Sequence, residues 1–430
     1  MNARVVGCVL GTLVISSGVL AQSTSSRFVA ASVESGLAFN ATNERAVVFS
    51  DIVMVPNAHW LRLDFDTAQL GAAPVGGEPT MLRITSLQDG GQIRMQAHHL
   101  EQWGYRSPYF NGDTVKIEIV ADAGADPSFL SVSQVLAGQF ETIDTICGST
   151  DDRQLSNDPR VGRGWTAGGS ANCTLWLIND CAKCLLAAGH CGFSNGQAHF
   201  NIPLSTSSGQ VVMSAPDDQY AVDTSSGQGI NGGVGNDFYY FGCFPNPNTG
   251  LTPYEAQGDA FVLGPPPTDP NTTIRVTGCG ITDSTVPATY YRAQKTHTGP
   301  WVGINGTQLQ YQVDTTSGNS GSPVINDNTG EAIGIHTHGG CTSGGSGANS
   351  GTSLTLPALQ NAFANPQGVC AQATCCYADC DGSGSLNVFD YICFGNEYAA
   401  GTSYADCDGS GGLNVFDYIC FGNEYAAGCP

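Results

Sequence analysis

The sequence predicts a mostly β fold that ends in a small helical tail, on three observations. Residues 27–138 alternate with period two: Leu61, Leu63 and Phe65 against Arg62 and Asp64, then Val115, Ile117 and Ile119 against Lys116 and Glu118. That period belongs to half-buried strands. The 430 residues include 56 glycines and only 12% charged residues, a loop-rich globular composition that excludes a coiled coil or a charged disordered chain. Finally, residues 377–401 and 404–428 match at 24 of 25 positions with a period of 27, two tandem copies of one supersecondary unit. The length suits two or three domains, each with its own core.

Taken in order, residues 1–21 read as a secretory signal: Arg4 precedes the apolar run 5–20, and Val19-Leu20-Ala21 places small or apolar residues before Gln22. The run falls short of the ~20 residues a membrane span needs. No later segment is apolar enough to span, so an exported chain without a membrane span is expected. Loss of this segment removes Cys8 and leaves sixteen of the seventeen cysteines, an even set for disulfides in an oxidising space. Residues 22–140 read as an ancillary β-sandwich. Within it Asp89-Gly90-Gly91 lies between the strands 81–87 and 92–97 as a hairpin turn, since glycine supplies the positive φ of a tight turn. His98 and His99 read as an exposed pair and Trp103 as a core residue.

The net charge of −22 disfavours nucleic acid and anionic membranes, which reward clustered Lys and Arg. Chemistry concentrates in residues 146–369. Three motifs occur there in the order His, Asp, Ser: Leu186-Ala187-Ala188-Gly189-His190-Cys191, Gly235-Asn236-Asp237-Phe238 and Ser317-Gly318-Asn319-Ser320-Gly321-Ser322-Pro323. A serine hydroxyl is a weak nucleophile at neutral pH, so a histidine must take its proton and an acid must hold that imidazole's tautomer. Together these motifs resemble the chymotrypsin-like (trypsin-fold) serine endopeptidases, most closely the bacterial glutamyl endopeptidases. The resemblance implies a double β-barrel and hydrolysis of protein or peptide substrates by His190, Asp237 and Ser320. It also implies an oxyanion hole from the backbone N–H groups of Gly318 and Ser320, with no cofactor for catalysis. Asp217, Asp218 and Asp223 lie close to Asp237 in sequence as other candidate acids. Asn319 stands where animal trypsin-like enzymes carry the Asp that holds a newly cut N-terminal ammonium, which implies a different maturation route.

Two signals in the pocket conflict. Asp314, six residues before Ser320, matches the acid that trypsin-like enzymes use for basic substrates, whereas Thr315 and His336 match the Thr and His that bind an acidic side chain in glutamyl endopeptidases. An imidazole and a hydroxyl donate to a carboxylate that a lone Asp would repel. The reading adopted is cleavage after Glu or Asp, with Asp314 pointing away. The Cys181–Cys184 spacing beside His190-Cys191 has the look of a zinc knuckle, but export favours disulfides. The resemblance ties Cys191 to an upstream cysteine. Nine cysteines lie between 147 and 370, so at least one pairs elsewhere or stays free. Ile146-Cys147-Gly148 and Asp151-Asp152-Arg153 resemble the mature start of glutamyl endopeptidases, which makes the preceding β region either a removable pro-region or a part that stays, tethered through Cys147.

Residues 376–430 carry Asp-x-Asp-Gly-Ser-Gly-x-Leu-Asn-x-x-Asp twice. A calcium loop wants oxygen ligands at positions 1, 3, 5, 9 and 12, a backbone carbonyl at 7 and a glycine at 6. The first copy offers Asp379, Asp381, Ser383, Ser385, Asn387 and Asp390; the second offers Asp406, Asp408, Ser410, Gly412, Asn414 and Asp417. This resembles the dockerin type of EF-hand-like repeat, which implies two Ca²⁺ sites and a cohesin-like scaffold or cell-surface partner. Phe389, Ile392 and Tyr398 are expected to pack between repeats. Cys380 with Cys393, and Cys407 with Cys420, can bridge within each copy. The last 61 residues hold eight acids and no Lys or Arg, so two calcium ions would offset about half of that charge. The overall reading is a secreted, acid-selective serine endopeptidase with a docking tail. The alternative is a catalytically inactive protease-like scaffold anchored through the same repeats.

Overall fold

The computed structural model describes residues 26–56, 58–138, 144–169, 171–282, 286–342, 344–371, 377–381 and 385–428. The secretory-signal reading of residues 1–21, Cys8 included, and the ligand Ser383 lie outside the described residues. The fold is mostly β, as the composition and period-two patterning predict.

The period-two region forms two antiparallel sheets. One orders Ala46–Met54, Thr114–Ala121, Met81–Ser86 and Gln92–Met95, with the Asp89-Gly90-Gly91 hairpin joining the last two. The other orders Ser26–Glu34, Phe129–Gly138, Trp60–Asp64 and Phe110–Asn111. Leu61, Leu63, Ile84, Ile93, Ile117 and Val135 share one core between them, so alternate residues face inward and the pair is a sandwich. One residue departs from the alternation. Arg62, expected on the solvent face, is fully buried. Its guanidinium donates to Tyr109 Oη at 3.0 Å and to the carbonyl of Ala167 at 2.6 Å, because this face of the sheet is covered by the first barrel of the following region. There Trp60, Tyr109 and Trp165 pack with ring centroids 4.7–5.5 Å apart. Gly138 is needed for that contact, since a Cβ there would stand 1.9 Å from the Trp60 ring.

Residues 154–353 build two closed rings of strands. The first runs Gln219–Ala221, Gln197–His199, Val161–Trp165, Ala171–Leu177, Leu185–Ala187 and Asp237–Phe241, and a bridge between Val222 and Cys243 closes it. The second runs Lys295–Asn305, Thr273–Gly278, Pro323–Asn326, Ala332–His338, Asn349–Ser353 and Gln308–Tyr311, which pairs back to Lys295–Asn305. Each ring buries its own side chains, Leu175, Trp176, Phe193 and Phe241 in the first and Ile274, Leu309, Val324 and Ile333 in the second. The amphipathic stretch that follows is the helix Pro357–Ala364, with Leu359 and Ala362 buried on the first ring's core.

Disulfides join Cys147 to Cys341, Cys173 to Cys191 and Cys184 to Cys370. Cys181 is also disulfide-bonded, with none of the other eight cysteines in this region. The even set is not fully used. Cys243 and Cys279 are buried free thiols, Cys243 within the first ring's core, and burial pushes both thiol pKa values up. With Cys173 and Cys191 bonded to each other, their sulfurs and His190 form no thiolate metal site.

The repeats fold as two helices, Val388–Ala400 and Val415–Ala427, whose preceding Asn387 and Asn414 accept from the N–H of Phe389 and Phe416 at 2.9 Å. Cys380–Cys393 and Cys407–Cys420 bridge each copy internally. The packing face differs from the expected one. Phe389 and Ile392 are 62% and 53% exposed, while Phe394 stacks on Phe421 at 4.2 Å and Tyr398 contacts Tyr418 at 4.8 Å. Tyr391, Phe394 and Tyr398 follow the i, i+3, i+7 spacing of a single helix face. Phe389 and Ile392 fall off that face.

Candidate active site

The site lies where the two rings meet. His190 sits in the short turn Gly189–Cys191 that leaves the strand Leu185–Ala187, and Asp237 begins the strand paired with it. Disulfide Cys173–Cys191 fixes the turn to the neighbouring strand. Asp237 is fully buried; its Oδ2 lies 2.6 Å from His190 Nδ1, and its Oδ1 accepts the His190 backbone N–H at 3.0 Å. These two contacts fix both the ring's orientation and the protonated nitrogen. Asp217, Asp218 and Asp223 are engaged elsewhere, with Asn248, with Asn201, and with Ser225 and Val369.

The nucleophile loop comes from the second ring. Gly318 adopts φ +98°, a conformation an L side chain resists, and its carbonyl accepts the Thr174 hydroxyl at 2.9 Å. The Ser320 carbonyl accepts the Thr174 N–H at 2.8 Å, and the Gly321 N–H donates to the His336 carbonyl at 2.7 Å. The N–H groups of Asn319 and Ser322 are likewise bonded within the loop, at 2.9 Å each. Among the described residues, those of Gly318 and Ser320 have no acceptor. Two unpaired donors thus flank the serine, the arrangement that stabilises a developing oxyanion. Ser320 Oγ and His190 Nε2 are not hydrogen-bonded to each other. Such contacts commonly tighten only with substrate.

Beyond the loop, Thr315 and His336 are both buried. Asn349 Nδ2 donates to Thr315 Oγ1 at 2.9 Å, and Tyr311 Oη lies 2.7 Å from His336 Nδ1. Tyr311 and Asn349 are cross-strand partners, so one pair holds both candidate pocket residues. Burial, then repulsion from His338 and His190, lowers the His336 pKa to about 3, which leaves a neutral ring at pH 7. Asp314 is also buried, but its oxygens accept the backbone N–H groups of Cys147 at 2.8 Å and Asp152 at 3.0 Å. Sequence reasoning missed Tyr311, Asn349 and Thr174, none of which belongs to a short motif. They act through register, which only the folded sheet reveals.

No family model matches the sequence. The chain is similar to the glutamyl endopeptidase of Bacillus licheniformis, 26% identical over 312 residues that cover 67% of this chain and 86% of that protein. These findings support a chymotrypsin-like serine protease. Among solved structures it is similar to a Glu endopeptidase, with a TM-score of 0.39 and 20% identity over 51% of this chain and 98% of that one. It is also similar to a thermostable serine protease from an extremophilic microorganism, with a TM-score of 0.38 and 13% identity over 48% of this chain and 98% of that one.

Proposed function

We propose that the chain is an exported serine endopeptidase that cuts protein or peptide substrates after Glu or Asp, and that its tail binds two Ca²⁺ ions and docks to a cohesin-like scaffold or cell-surface partner. The His190–Asp237 pair beside a serine flanked by two unpaired N–H groups carries the catalytic reading. In it, His190 Nε2 takes the Ser320 proton as Oγ attacks the scissile carbonyl, and Asp237 stabilises the imidazolium that results. The oxyanion forms against the N–H groups of Gly318 and Ser320. His190 then returns the proton to the leaving amine, and water repeats the sequence on the acyl-serine. Export is supported by the disulfides and by the signal-like first 21 residues.

A fluorophosphonate probe, which needs a functioning nucleophile, tests this directly. Wild type should be labelled and Ser320→Ala should not. A fully folded wild type that takes no label would turn the reading toward a binding or scaffold protein.

For the tail, the donor chemistry fits calcium. Carboxylate oxygens of Asp379, Asp381 and Asp390 converge within 4.8 Å, as do those of Asp406, Asp408 and Asp417. Oxygen ligands in such loops suit a hard divalent cation, and Asp406 Oδ1 is buried without a partner. Ser385 and Gly412 supply carbonyls, which now accept the side chains of Asn387 and Asn414 at 2.8 Å. Ser410 completes the second set. Calorimetry on the full chain should count two Ca²⁺ sites, and Asp408→Asn should weaken one of them selectively. No calcium-dependent heat would sink this part of the reading.

A further inference from the structure

We propose that Arg153 is a positioning residue that holds the nucleophile loop in its working shape from within the chain, so that the loop needs no freed N-terminus to form. The inference rests on the serine-protease reading above. Arg153 is 5% exposed, and each of its five N–H donors has a partner, the full capacity of a guanidinium. Nε and Nη2 grip the Asp151 carboxylate at 2.7 and 2.6 Å. Nη1 donates to Thr316 Oγ1 at 2.7 Å and to Asn319 Oδ1 at 2.9 Å, and Nη2 also donates to the Ile281 carbonyl at 2.7 Å. Asn319 Oδ1 in turn accepts the Thr316 N–H at 3.0 Å. The side chain of the residue immediately before Ser320 is therefore locked between a buried cation and its own loop.

The contact is part of a seam. Residues 144–145 pair with Thr316 and Thr315 as a short antiparallel ladder, and the Cys147 and Asp152 N–H groups donate to Asp314. Arg153 reaches Thr316 and Asn319 beyond them. The entry segment of the barrel region thus grips the loop at 314, 315, 316 and 319, and Cys147–Cys341 anchors it covalently. A cut just before Cys147 would remove the 144–145 ladder but leave the Cys147, Asp152 and Arg153 contacts in place. Because the Gly318 and Ser320 N–H groups point as the 316–319 turn directs them, the guanidinium acts on transition-state stabilisation through Asn319 and touches no substrate.

The test uses the full chain, with the N-terminal β region shown by mass to be still attached. The intact wild type should take the fluorophosphonate label without prior cleavage. Arg153→Met should cut kcat by about 100-fold, as loss of oxyanion-hole geometry does, with KM changed less than about threefold. The affinity of a peptide aldehyde, which mimics the oxyanion, should fall in parallel with kcat. Arg153→Lys should recover part of the loss, and Thr316→Val, which removes one acceptor of Arg153 and a hydroxyl bond to the Ile281 carbonyl, should cost less than Arg153→Met. A wild type labelled only after cleavage upstream, or variants with unchanged kcat and aldehyde affinity, would overturn the proposal while leaving the protease reading intact. A chain unlabelled both before and after cleavage would overturn both.

Discussion

Asp237→Asn is expected to lower kcat by about 10⁴-fold with little change in KM, as happens when a triad acid is replaced by its amide. The reason lies in two short contacts. Asp237 Oδ2 lies 2.6 Å from His190 Nδ1 and Oδ1 takes the His190 backbone N–H at 3.0 Å. An amide would keep the second contact and turn its NH₂ toward Nδ1. The ring proton would then move to Nε2, where it blocks acceptance of the Ser320 proton. Asn is nearly isosteric with Asp, so the fully buried position should tolerate it and the protein should stay folded. Steady-state turnover with a peptide substrate reads the effect. Unchanged turnover would transfer the role to another acid, although Asp217, Asp218 and Asp223 are already committed to other partners.

His336→Leu should reduce kcat/KM for substrates with Glu before the scissile bond by about 100-fold, the size expected for losing a hydrogen bond to a charged group. Substrates with a small neutral residue there should change by less than about threefold. Tyr311 holds the ring through Nδ1 at 2.7 Å, which on the proposed acid-pocket reading leaves Nε2 to donate to a substrate carboxylate. The pH dependence has a definite sign. Burial lowers the His336 pKa to about 3, below its unfolded value of 6.5, so between these limits the unfolded chain binds the extra proton. The stability that the neutral ring confers is complete above about pH 6.5 and is lost as pH falls toward 3, by up to about 1.4 kcal/mol per unit. His336→Leu should therefore flatten the acid limb of a denaturation profile. A peptide library cut mainly after Lys or Arg would defeat the acid-pocket reading altogether.

The strand pattern was legible because alternation at Leu61, Leu63 and Phe65 is a local signal, and the Asp89-Gly90-Gly91 turn was legible because glycine readily supplies the positive φ that Gly90 adopts. Arg62 was not, because its burial depends on a second region laid over the sheet. A sequence window cannot contain that neighbour. The same holds for Asp314: its position relative to Ser320 suggests a pocket acid, yet its oxygens are taken up by backbone N–H groups 162 and 167 residues away. In the tail, the helices were readable from the repeated loop pattern, but the packing face was not, since Phe389, Ile392 and Phe394 are equally apolar and only their angle around the helix distinguishes them. His190 and Asp237 are brought together by pairing between Leu185–Ala187 and Asp237–Phe241. Their motifs announced the residue types and left the pairing unstated.

The Cys184–Cys370 bond also fixes a mechanical load path. It spans 186 residues of chain and closes a covalent ring that contains His190, Asp237 and Ser320. If the tail is tethered while the cleft grips a substrate or the N-terminal region is dragged by flow, tension reaching Cys370 passes straight to Cys184. The enclosed chain, roughly 650 Å long if drawn out at ~3.5 Å per residue, is held out of the stretched contour. A tug at the anchor can therefore peel the tail helices apart long before it can unravel the second barrel.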